Sequence, residues 1–327
     1  MKILMNMVNH ESKLNWFHND WHQLATYLKD MKLDGTELIF HQDYNVDNIP
    51  QELAVGIHMT YWPTWLDFWR GNKEALKKQF LNMENVAFYY GDFDPTVLIK
   101  KYQQELKTAL ELKMEYAVVH VSHVEVEDTY TWDFKYSDEE VLDATAEFIN
   151  ATMEGMDPAI ALLFENLWWP GLNFKDPEAT AAFFEKIHYP NKGFMLDIGH
   201  LMITNPLLRD LEEAGAYILE VLKQNQSMIP YIRGIHLNQA LTGQYVSQDH
   251  GKRLEEMRCC DDYWDMLGHA REHIGNIDQH TPFGHGSIRD IIALIQPDFL
   301  VYEFLPEDRD SLTKMILFQH QVLGISL

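Results

Sequence analysis

The sequence contains little cysteine and no long apolar run. Only two of its 327 residues are cysteines, Cys259 and Cys260. Adjacent cysteines are poorly placed for a disulfide that staples distant segments, and their spacing does not fit a zinc ribbon, so we expect free thiols. No uncharged apolar stretch reaches about eighteen residues, the length typical of a transmembrane helix. The first residues also lack the apolar core and cleavage site of a secretory signal, which favours a cytoplasmic protein without a membrane partner.

Basic residues are also scarce. The chain has 26 lysines and arginines against 50 aspartates and glutamates, a net charge of −24 with neutral histidines. Such a charge repels phosphate backbones, so nucleic acid is disfavoured as a partner. Apolar residues make up 46% of the chain, which is enough for a large core. Because no Pro-, Gly- or Ser-rich linker divides it, we predict a single domain over residues 1–327.

Short β-like runs alternate with longer stretches of helical spacing along the whole chain. This alternation is typical of repeated βα units around a parallel sheet. Eight such strands close most economically into a (β/α)8 TIM barrel of the α/β class. The predicted strands are 3–8, 36–40, 55–60, 116–121, 160–165, 193–198, 232–237 and 299–304. The clearest predicted helices are 16–31, 95–112, 138–153, 177–187 and 206–223.

The chain is longer than an ordinary TIM barrel of about 250 residues. The surplus forms extended loops after strands 3, 4 and 7, over residues 61–94, 124–136 and 239–276. All three leave the barrel at carboxyl ends of strands, where active sites of this architecture are built. We therefore expect them to act as lids.

Six consecutive strands end on residue types that bind metal ions. The residues at these ends are His58, His120, Glu165, Asp197 followed by His200, His236 and Glu303. Because barrel strands converge on one rim, these side chains should face one cavity, where uncompensated carboxylates are costly to bury. A divalent cation is the simplest compensation. We expect Zn²⁺ or Mn²⁺, with Co²⁺ and Mg²⁺ also compatible.

A polar loop before the last strand adds candidate ligands. Asp278 and His280 are two residues apart and can face one ion, and the glycines that follow allow a tight turn into a helix beginning near Ser287. We expect His123 and His285 to have structural or supporting roles, because a barrel rim has room for only a few ligands.

Six short motifs follow one another along the predicted barrel. They are Gly-Thr-Glu-Leu at 35–38, Phe-Glu-Asn at 164–166, Asp-Ile-Gly-His at 197–200, His-Leu-Asn at 236–238, Asp-Gln-His-Thr-Pro-Phe-Gly-His-Gly-Ser-Ile at 278–288 and Tyr-Glu-Phe at 302–304. As a set they resemble the xylose isomerase-like TIM-barrel superfamily. That group includes sugar isomerases and epimerases as well as endonuclease IV.

The resemblance implies one of two metal-binding sets. In the isomerases and epimerases, one core metal site uses four residues, which here correspond to Glu165, Asp197, His236 and Glu303. In the endonuclease IV branch, three zinc ions also use further residues, which correspond to His58, His120, His200, Asp278 and His280. All of these residues are present, so the ligand set leaves both branches open.

Charge and aromatic content favour the isomerase branch. An enzyme that binds duplex DNA gains affinity from lysines and arginines on phosphates, and this chain offers few near its rim. The loops instead carry Trp62 and Trp168, whose faces can stack on a sugar, and Arg70, a further candidate substrate contact. The alternative role of these tryptophans is packing or an oligomer contact.

The leading hypothesis is a divalent-metal-dependent isomerase or epimerase of a small sugar or related polyhydroxylated carbonyl compound. The ion would act as a Lewis acid on the developing enediolate, with Glu165 and Glu303 as acid and base and His200 as a proton relay. His58 and His120 would contact the substrate. Alternatives are an endonuclease IV-like multi-zinc phosphoesterase, a sugar or inositol-type dehydratase, and a barrel that binds without turnover. An unphosphorylated substrate is favoured because no glycine-rich phosphate cradle is present, and a homo-oligomer remains open.

Overall fold

Eight parallel β-strands form a closed barrel. The computed structural model describes residues 1–40, 46–156 and 158–326. Each strand pairs with the next in chain order, and the last pairs with the first. The strands are β1 (Lys2–Val8), β2 (Gly35–Ile39), β3 (Ala54–His58), β4 (Tyr116–His120), β5 (Ala161–Glu165), β6 (Lys192–Asp197), β7 (Ile232–Leu237) and β8 (Phe299–Tyr302). The predicted (β/α)8 TIM barrel is confirmed, and the strand boundaries differ from the predicted ones by at most two residues.

Helices connect the strands. The α-helices are α1 (Glu11–Leu14), α2 (Trp21–Asp30), α3 (Leu66–Trp69), α4 (Lys73–Gln79), α5 (Met83–Tyr90), α6 (Thr96–Glu111), α7 (Asp128–Thr131), α8 (Asp138–Met153), α9 (Pro177–Lys186), α10 (Ile198–Ile203), α11 (Leu211–Gln224), α12 (Gly243–Val246), α13 (Gly251–Arg258), α14 (Tyr263–Gly275), α15 (Ser287–Ile295) and α16 (Arg309–Leu323). Short 3-10 helices span Asn15–Phe17, Val46–Asn48 and Ile229–Tyr231. The predicted helices 95–112, 138–153 and 177–187 are confirmed as α6, α8 and α9, within one residue at each end.

Two predicted helices begin too early. The predicted helix 16–31 is interrupted, because His18 and Asn19 have left-handed backbone angles with φ of 56° and 55°. The α-helix therefore begins only at α2, where the Asp20 carboxylate accepts from the His22 amide. The predicted helix 206–223 begins at α11, where the side chain of Asp210 accepts from the Glu213 amide and caps the helix.

Inward-facing side chains of the strands fill the barrel in layers. The interior cluster consists of Leu4, Val55, Tyr116, Val118, Ala161, Leu163, Met195, Phe299 and Val301. Because successive strand side chains point to opposite faces, the residue two positions further on also faces the interior. This places His120, Glu165, Asp197 and Glu303 inside the barrel at its carboxyl end.

The three predicted loops contain short helices that contact one another, and we call them together the cap (residues 61–94, 124–136 and 239–276). They contribute α3 to α5, α7, and α12 to α14 respectively. The Lys135 ammonium lies 2.8 Å from the buried carboxylate of Asp67, which joins the first two segments. The His273 Nε2 lies 3.0 Å from the Thr129 carbonyl oxygen, which joins the second and third. The cap is therefore a packed unit at the strand ends.

Cys259 and Cys260 are both free thiols, as predicted. Among the residues that the structure describes, no helix combines the length and the apolar character needed to span a membrane.

Candidate metal centre

The strand ends bring the predicted ligands together into four overlapping groups. Within each group, one potential ligand atom per residue lies within 4.8 Å of the others. The groups are His58 with His120 and Glu165; Glu165 with Asp197, His236 and Glu303; His200 with Asp278 and His280; and Glu37 with His58 and His236. All nine predicted ligands belong to these groups, and Glu37 is an addition that the sequence analysis missed.

Glu165 links two of the groups, because its two oxygens face different imidazoles. Its Oε2 lies 3.1 Å from Nε2 of His58 and 3.4 Å from Nε2 of His120. Its Oε1 lies 3.2 Å from Nδ1 of His200 and 3.3 Å from Nδ1 of His236. Such a carboxylate can bridge two adjacent ligand sites.

The four-residue group is deeply buried. Nδ1 of His236 lies 3.4 Å from Oε2 of Glu303 and 3.9 Å from Oδ2 of Asp197. Glu165, Asp197 and His236 have no solvent exposure, and Glu303 has 7%. Three carboxylates therefore converge on one imidazole nitrogen away from water.

A third group lies beside the first two. Nε2 of His280 and Nε2 of His200 lie 2.8 Å and 3.4 Å from the same oxygen, Oδ2 of Asp278. This geometry agrees with the expectation that Asp278 and His280 can face one ion.

The outer nitrogens of three histidines have fixed partners. Nδ1 of His200 donates to the Asn166 carbonyl oxygen at 2.9 Å, and Nδ1 of His280 donates to the Glu303 carbonyl oxygen at 3.1 Å. Nδ1 of His58 lies 3.4 Å from a carbonyl oxygen, that of Met59. Because a carbonyl oxygen can only accept, the opposite nitrogen of each neutral ring presents a lone pair. Metal-binding histidines are typically oriented in this way.

These lone pairs point at carboxylate oxygens, which also only accept. A proton or a cation is needed between them, since two acceptors repel each other at these distances. The buried atoms Glu165 Oε1, His236 Nδ1 and Asp278 Oδ1 have no hydrogen-bond partner among the described residues. Among the described residues, every ion pair of the site carboxylates is with a histidine. The residues therefore fit one or more divalent ions.

The titration of the site groups reflects this crowding. Burial raises the pKa of Glu303 to about 7, although the imidazoles of His236 and His280 oppose the shift. Burial opposes the charge on Glu165 too, but the imidazoles of His120 and His236 outweigh it and hold its pKa well below the usual value. Burial likewise opposes the charge on His280, but nearby carboxylates, Asp278 first among them, raise its pKa to about 10. A proton held between a carboxylate and an imidazole therefore offsets the buried charge of these pairs, which is the role that a bound ion would take.

Glu37 supports the centre from β2. Both of its oxygens lie 3.1 Å from Nε2 of His236, the nitrogen that points away from Glu165. The Tyr116 hydroxyl donates to Glu37 Oε2 at 2.8 Å. A carboxylate behind a histidine ligand fixes the ring orientation and increases the basicity of the ligating nitrogen.

The Asp-Ile-Gly-His motif contains a glycine for a steric reason. The Asn238 amide donates to Oδ2 of Asp197 at 2.7 Å and to Oε2 of Glu303 at 3.3 Å, and so orients two carboxylates. A Cβ on Gly199 would lie 1.8 Å from Oδ1 of Asn238. Only glycine leaves room for this amide.

A model of the xylose isomerase-like TIM-barrel family matches residues 20–297. The chain belongs to the xylose isomerase-like TIM-barrel family. A comparison with curated proteins found no match.

Solved structures of this fold resemble the xylose isomerase-like chain over its full length at low identity. A Rhodospirillum rubrum protein named provisionally as a xylose isomerase is 13% identical, covers 100% of both chains and has a TM-score of 0.51. A Bacillus anthracis protein named provisionally as the 3-DHS dehydratase AsbF is 12% identical, with 100% coverage of both chains and a TM-score of 0.50. A D-psicose 3-epimerase is 12% identical, covers 99% of this chain and 100% of its own, and has a TM-score of 0.49. These likenesses show the fold alone.

The predicted substrate contacts occupy different places in this xylose isomerase-like barrel. The Trp168 ring centroid lies 5.1 Å from that of His200, and its buried indole nitrogen has no partner among the described residues. Trp62 stacks on Tyr102 and lines a small cavity beside His120. The structure does not bring Arg70 to the ligand groups. Its guanidinium is 40% exposed and 3.7 Å from Glu140.

Tyr61 is a neighbour of the centre that the sequence analysis did not single out. Its ring centroid lies 4.3 Å from that of His120, and its hydroxyl lies 2.6 Å from that of Ser122. The signal for it was weak, since Tyr61 is one of several aromatic residues in the same loop. His123 and His285 belong to none of the four groups. Instead, Nδ1 of His123 accepts from two amides at the start of α3.

Proposed function

We propose that the protein is a divalent-metal-dependent isomerase or epimerase of a small sugar or related polyhydroxylated carbonyl compound. One observation carries this proposal: the ligand atoms of Glu165, Asp197, His236 and Glu303 converge from four consecutive strands in a buried group. The mixed carboxylate and imidazole set is compatible with Zn²⁺ or Mn²⁺. Membership of the xylose isomerase-like family is consistent with this chemistry.

The bound ion would supply a Lewis acid that polarises the substrate carbonyl. Carboxylate oxygens of Glu165 and Glu303 lie 3.3 Å and 3.4 Å from Nδ1 of His236, within the group that would hold the ion. Both carboxylates would therefore lie beside a substrate whose carbonyl binds that ion. In an isomerisation, one carboxylate would take a proton from the carbon beside the carbonyl, a proton would return to the former carbonyl carbon, and the hydroxyl proton would move to the former carbonyl oxygen. In an epimerisation, the other carboxylate would return a proton to the same carbon from the opposite face. His200 can relay protons beside them, because its ring lies between Glu165 and Asp278.

Hydrogen exchange in D2O tests this proton transfer before the product is known. The protein, loaded in turn with Zn²⁺, Mn²⁺, Co²⁺ and Mg²⁺, is incubated with a panel of aldoses, ketoses and inosose-type compounds, and deuterium at carbon is measured by NMR. We expect exchange with at least one compound and a loss of about 10² to 10⁴-fold in Glu303→Gln. Exposed Glu307 provides the matched control, Glu307→Gln, with unchanged exchange. Absence of exchange across metals and compounds would overturn the proposal.

A multi-metal phosphoesterase is the second candidate, favoured by the two histidine-rich groups beside the four-residue group. Clustered ions can generate hydroxide and stabilise charge during phosphoester cleavage. The net charge of −24 disfavours DNA as the substrate. Zinc-loaded protein that cleaves bis(p-nitrophenyl) phosphate or abasic-site DNA, without deuterium exchange in sugars, would favour this candidate.

A dehydratase would begin with the same proton removal and then expel a β-hydroxyl group. Deuterium exchange alone does not separate the two reactions, but a dehydratase yields a product one water lighter. Mass spectrometry of the same reaction mixtures separates the two outcomes.

A further inference from the structure

A cavity of about 90 Å³ lies at the mouth of the barrel between the ends of β1, β2 and β8. Its wall includes Asn6, Val8, Ile39 and Phe304. Leu4 belongs to the interior cluster. Because successive side chains of a strand alternate between its two faces, Asn6 and Val8 on β1 also face inward. The cavity therefore has inward-facing residues of β1 and β2 in its wall, at the carboxyl end of the barrel.

The cavity adjoins the metal centre. Ile39 is two residues beyond Glu37 on β2, so it faces the interior one step nearer the rim. Phe304 directly follows Glu303, which places their Cα atoms about 3.8 Å apart. The amide of Asn6 donates to the Phe304 carbonyl oxygen at 3.3 Å and ties β1 to this segment. The cavity and the ligand groups therefore lie at the same end of the barrel.

Lys13 and Trp16 also line the cavity, and they contribute an ammonium group and an indole ring. The Lys13 ammonium lies 3.9 Å from the Trp16 ring centroid and donates a hydrogen bond to the Pro306 carbonyl oxygen at 3.4 Å. Within residues 1–40, 46–156 and 158–326, no carboxylate forms an ion pair with it. An ammonium has three donors, so two remain available to a ligand.

A lysine without a carboxylate partner among the described residues is unusual in a chain with 50 acidic and 26 basic residues. The side chain is partly buried, and burial lowers the pKa of Lys13. An anionic oxygen group beside the ammonium would compensate this cost and form charge-assisted hydrogen bonds. The face of Trp16 would pack against carbon atoms next to that group.

We propose that the cavity binds the end of the substrate remote from the metal centre, and that Lys13 pairs with a carboxylate or phosphate group there. The proposal rests on the proposed function and narrows its substrate class to sugar acids or sugar phosphates. It also revises the expectation of an unphosphorylated substrate, because Lys13 offers a cation that the sequence analysis did not identify. Lys13 lies in α1, in the connection between β1 and β2. Lys13 alone in sequence gave no such signal, since its position beside Phe304 depends on closure of the barrel.

Calorimetric titration of the purified, metal-loaded protein tests the proposal with three probes: D-glucuronate, D-fructose 6-phosphate and neutral D-fructose. We expect at least one anionic probe to bind, Lys13→Met to weaken it about tenfold or more, and Lys13→Arg to retain most of the affinity. Fructose affinity should be the same in all variants. Exposed Lys29 supplies the matched control, Lys29→Met, which should leave each affinity unchanged.

The pattern of losses identifies the anionic group. A Lys13-dependent loss for glucuronate alone indicates a carboxylate site, and a loss for fructose 6-phosphate alone indicates a phosphate site. Failure of both anionic probes to bind, or binding that Lys13→Met leaves unchanged, overturns the proposal. Lys13-dependent binding without deuterium exchange in any sugar would contradict the proposed function but not the cavity. Exchange with Lys13-independent binding would contradict the cavity alone.

Discussion

Glu37 acts on the metal centre through another side chain. Its carboxylate accepts from Nε2 of His236, and the Tyr116 hydroxyl holds it in place. We expect Glu37→Gln to lower metal affinity about 10- to 100-fold, because supporting partners of metal-binding histidines have effects of this size. Competition against a chelator of known affinity measures the change, and the exposed Glu52→Gln is the matched control. Unchanged affinity in a folded Glu37→Gln protein would contradict this role.

Gly199 and Gly268 offer a paired test of steric space. A methyl group on Gly199 would collide with the Asn238 amide, whereas nothing lies within 4 Å of the corresponding position at Gly268 in α14. Gly199→Ala should lower the free energy of unfolding by about 1–3 kcal/mol, the usual cost of overpacking. Gly268→Ala should raise it by about 0.5–1 kcal/mol, because alanine is the better helix former. Urea denaturation of both variants measures this contrast, and equal effects would count against the steric explanation.

The convergence of the candidate ligands could be predicted because they combine residue type with position at strand ends. Glu37 was missed for the opposite reason, since it lies inside β2 and its contact with His236 joins residues 199 apart in sequence. A carboxylate within the apolar run Gly-Thr-Glu-Leu-Ile was the available signal. Only the closed barrel shows which side chain it supports.

The cap depends on Asp67 in α3. This carboxylate is 1% exposed and accepts from Asn72, Gln79, Lys135 and Tyr136. Asp67→Asn should cost about 1–3 kcal/mol at pH 7, because the amide presents donors to donors in a buried site. Urea denaturation measures the loss, with exposed Asp265→Asn in α14 as the control. A cost no larger than that of the control would show that the network does not hold the cap.

The same carboxylate should make the cap sensitive to acid. Burial disfavours the charge on Asp67, but hydrogen bonds from Lys135, Tyr136 and Gln79 outweigh it and hold its pKa below the usual value. A group with a lowered folded pKa stabilises the fold above its unfolded pKa, and this contribution is lost as pH falls through the folded pKa. Stability should therefore decline below about pH 4, and Asp67→Asn should show a smaller decline. Identical pH dependence of unfolding in both proteins would contradict this assignment.

Helix starts were predicted less well than helix bodies, for local reasons. The left-handed residues His18 and Asn19 interrupt the predicted first helix, and neither is a glycine that would have signalled the break. The prediction placed the start of α11 at Pro206, but the helix begins after Asp210, whose side chain caps it. By contrast, Ser137 and Glu140 form a capping box at α8, and the predicted start there is confirmed.

The molecule concentrates buried carboxylates and histidines at one end of the barrel. Bound metal would stabilise the folded state, because ions bind the assembled groups and not the unfolded chain. At a free metal concentration 100-fold above the dissociation constant, the gain is about 2.7 kcal/mol. Thermal unfolding should then occur about 5 °C higher than in chelator-treated protein. Equal melting temperatures with and without metal would contradict this coupling.

The barrel and the positions of the three cap segments could be predicted because the βα alternation repeats through the chain, whereas the packing of those segments on one another could not. Its contacts, such as Asp67 with Lys135, join residues 68 apart that no periodic pattern relates. The cavity beside Lys13 likewise depends on β1 and β8 becoming neighbours.

Metal content per chain tests the central claim most directly. Elemental analysis of protein purified without added metal, and again after loading and desalting, should find at least one divalent ion per chain. Glu165→Gln should lose most of it, since this carboxylate belongs to two groups, while Glu307→Gln should keep it. About one ion supports the isomerase proposal, and about three support the phosphoesterase. A loaded, folded wild-type protein with less than about a tenth of an ion per chain would contradict the account.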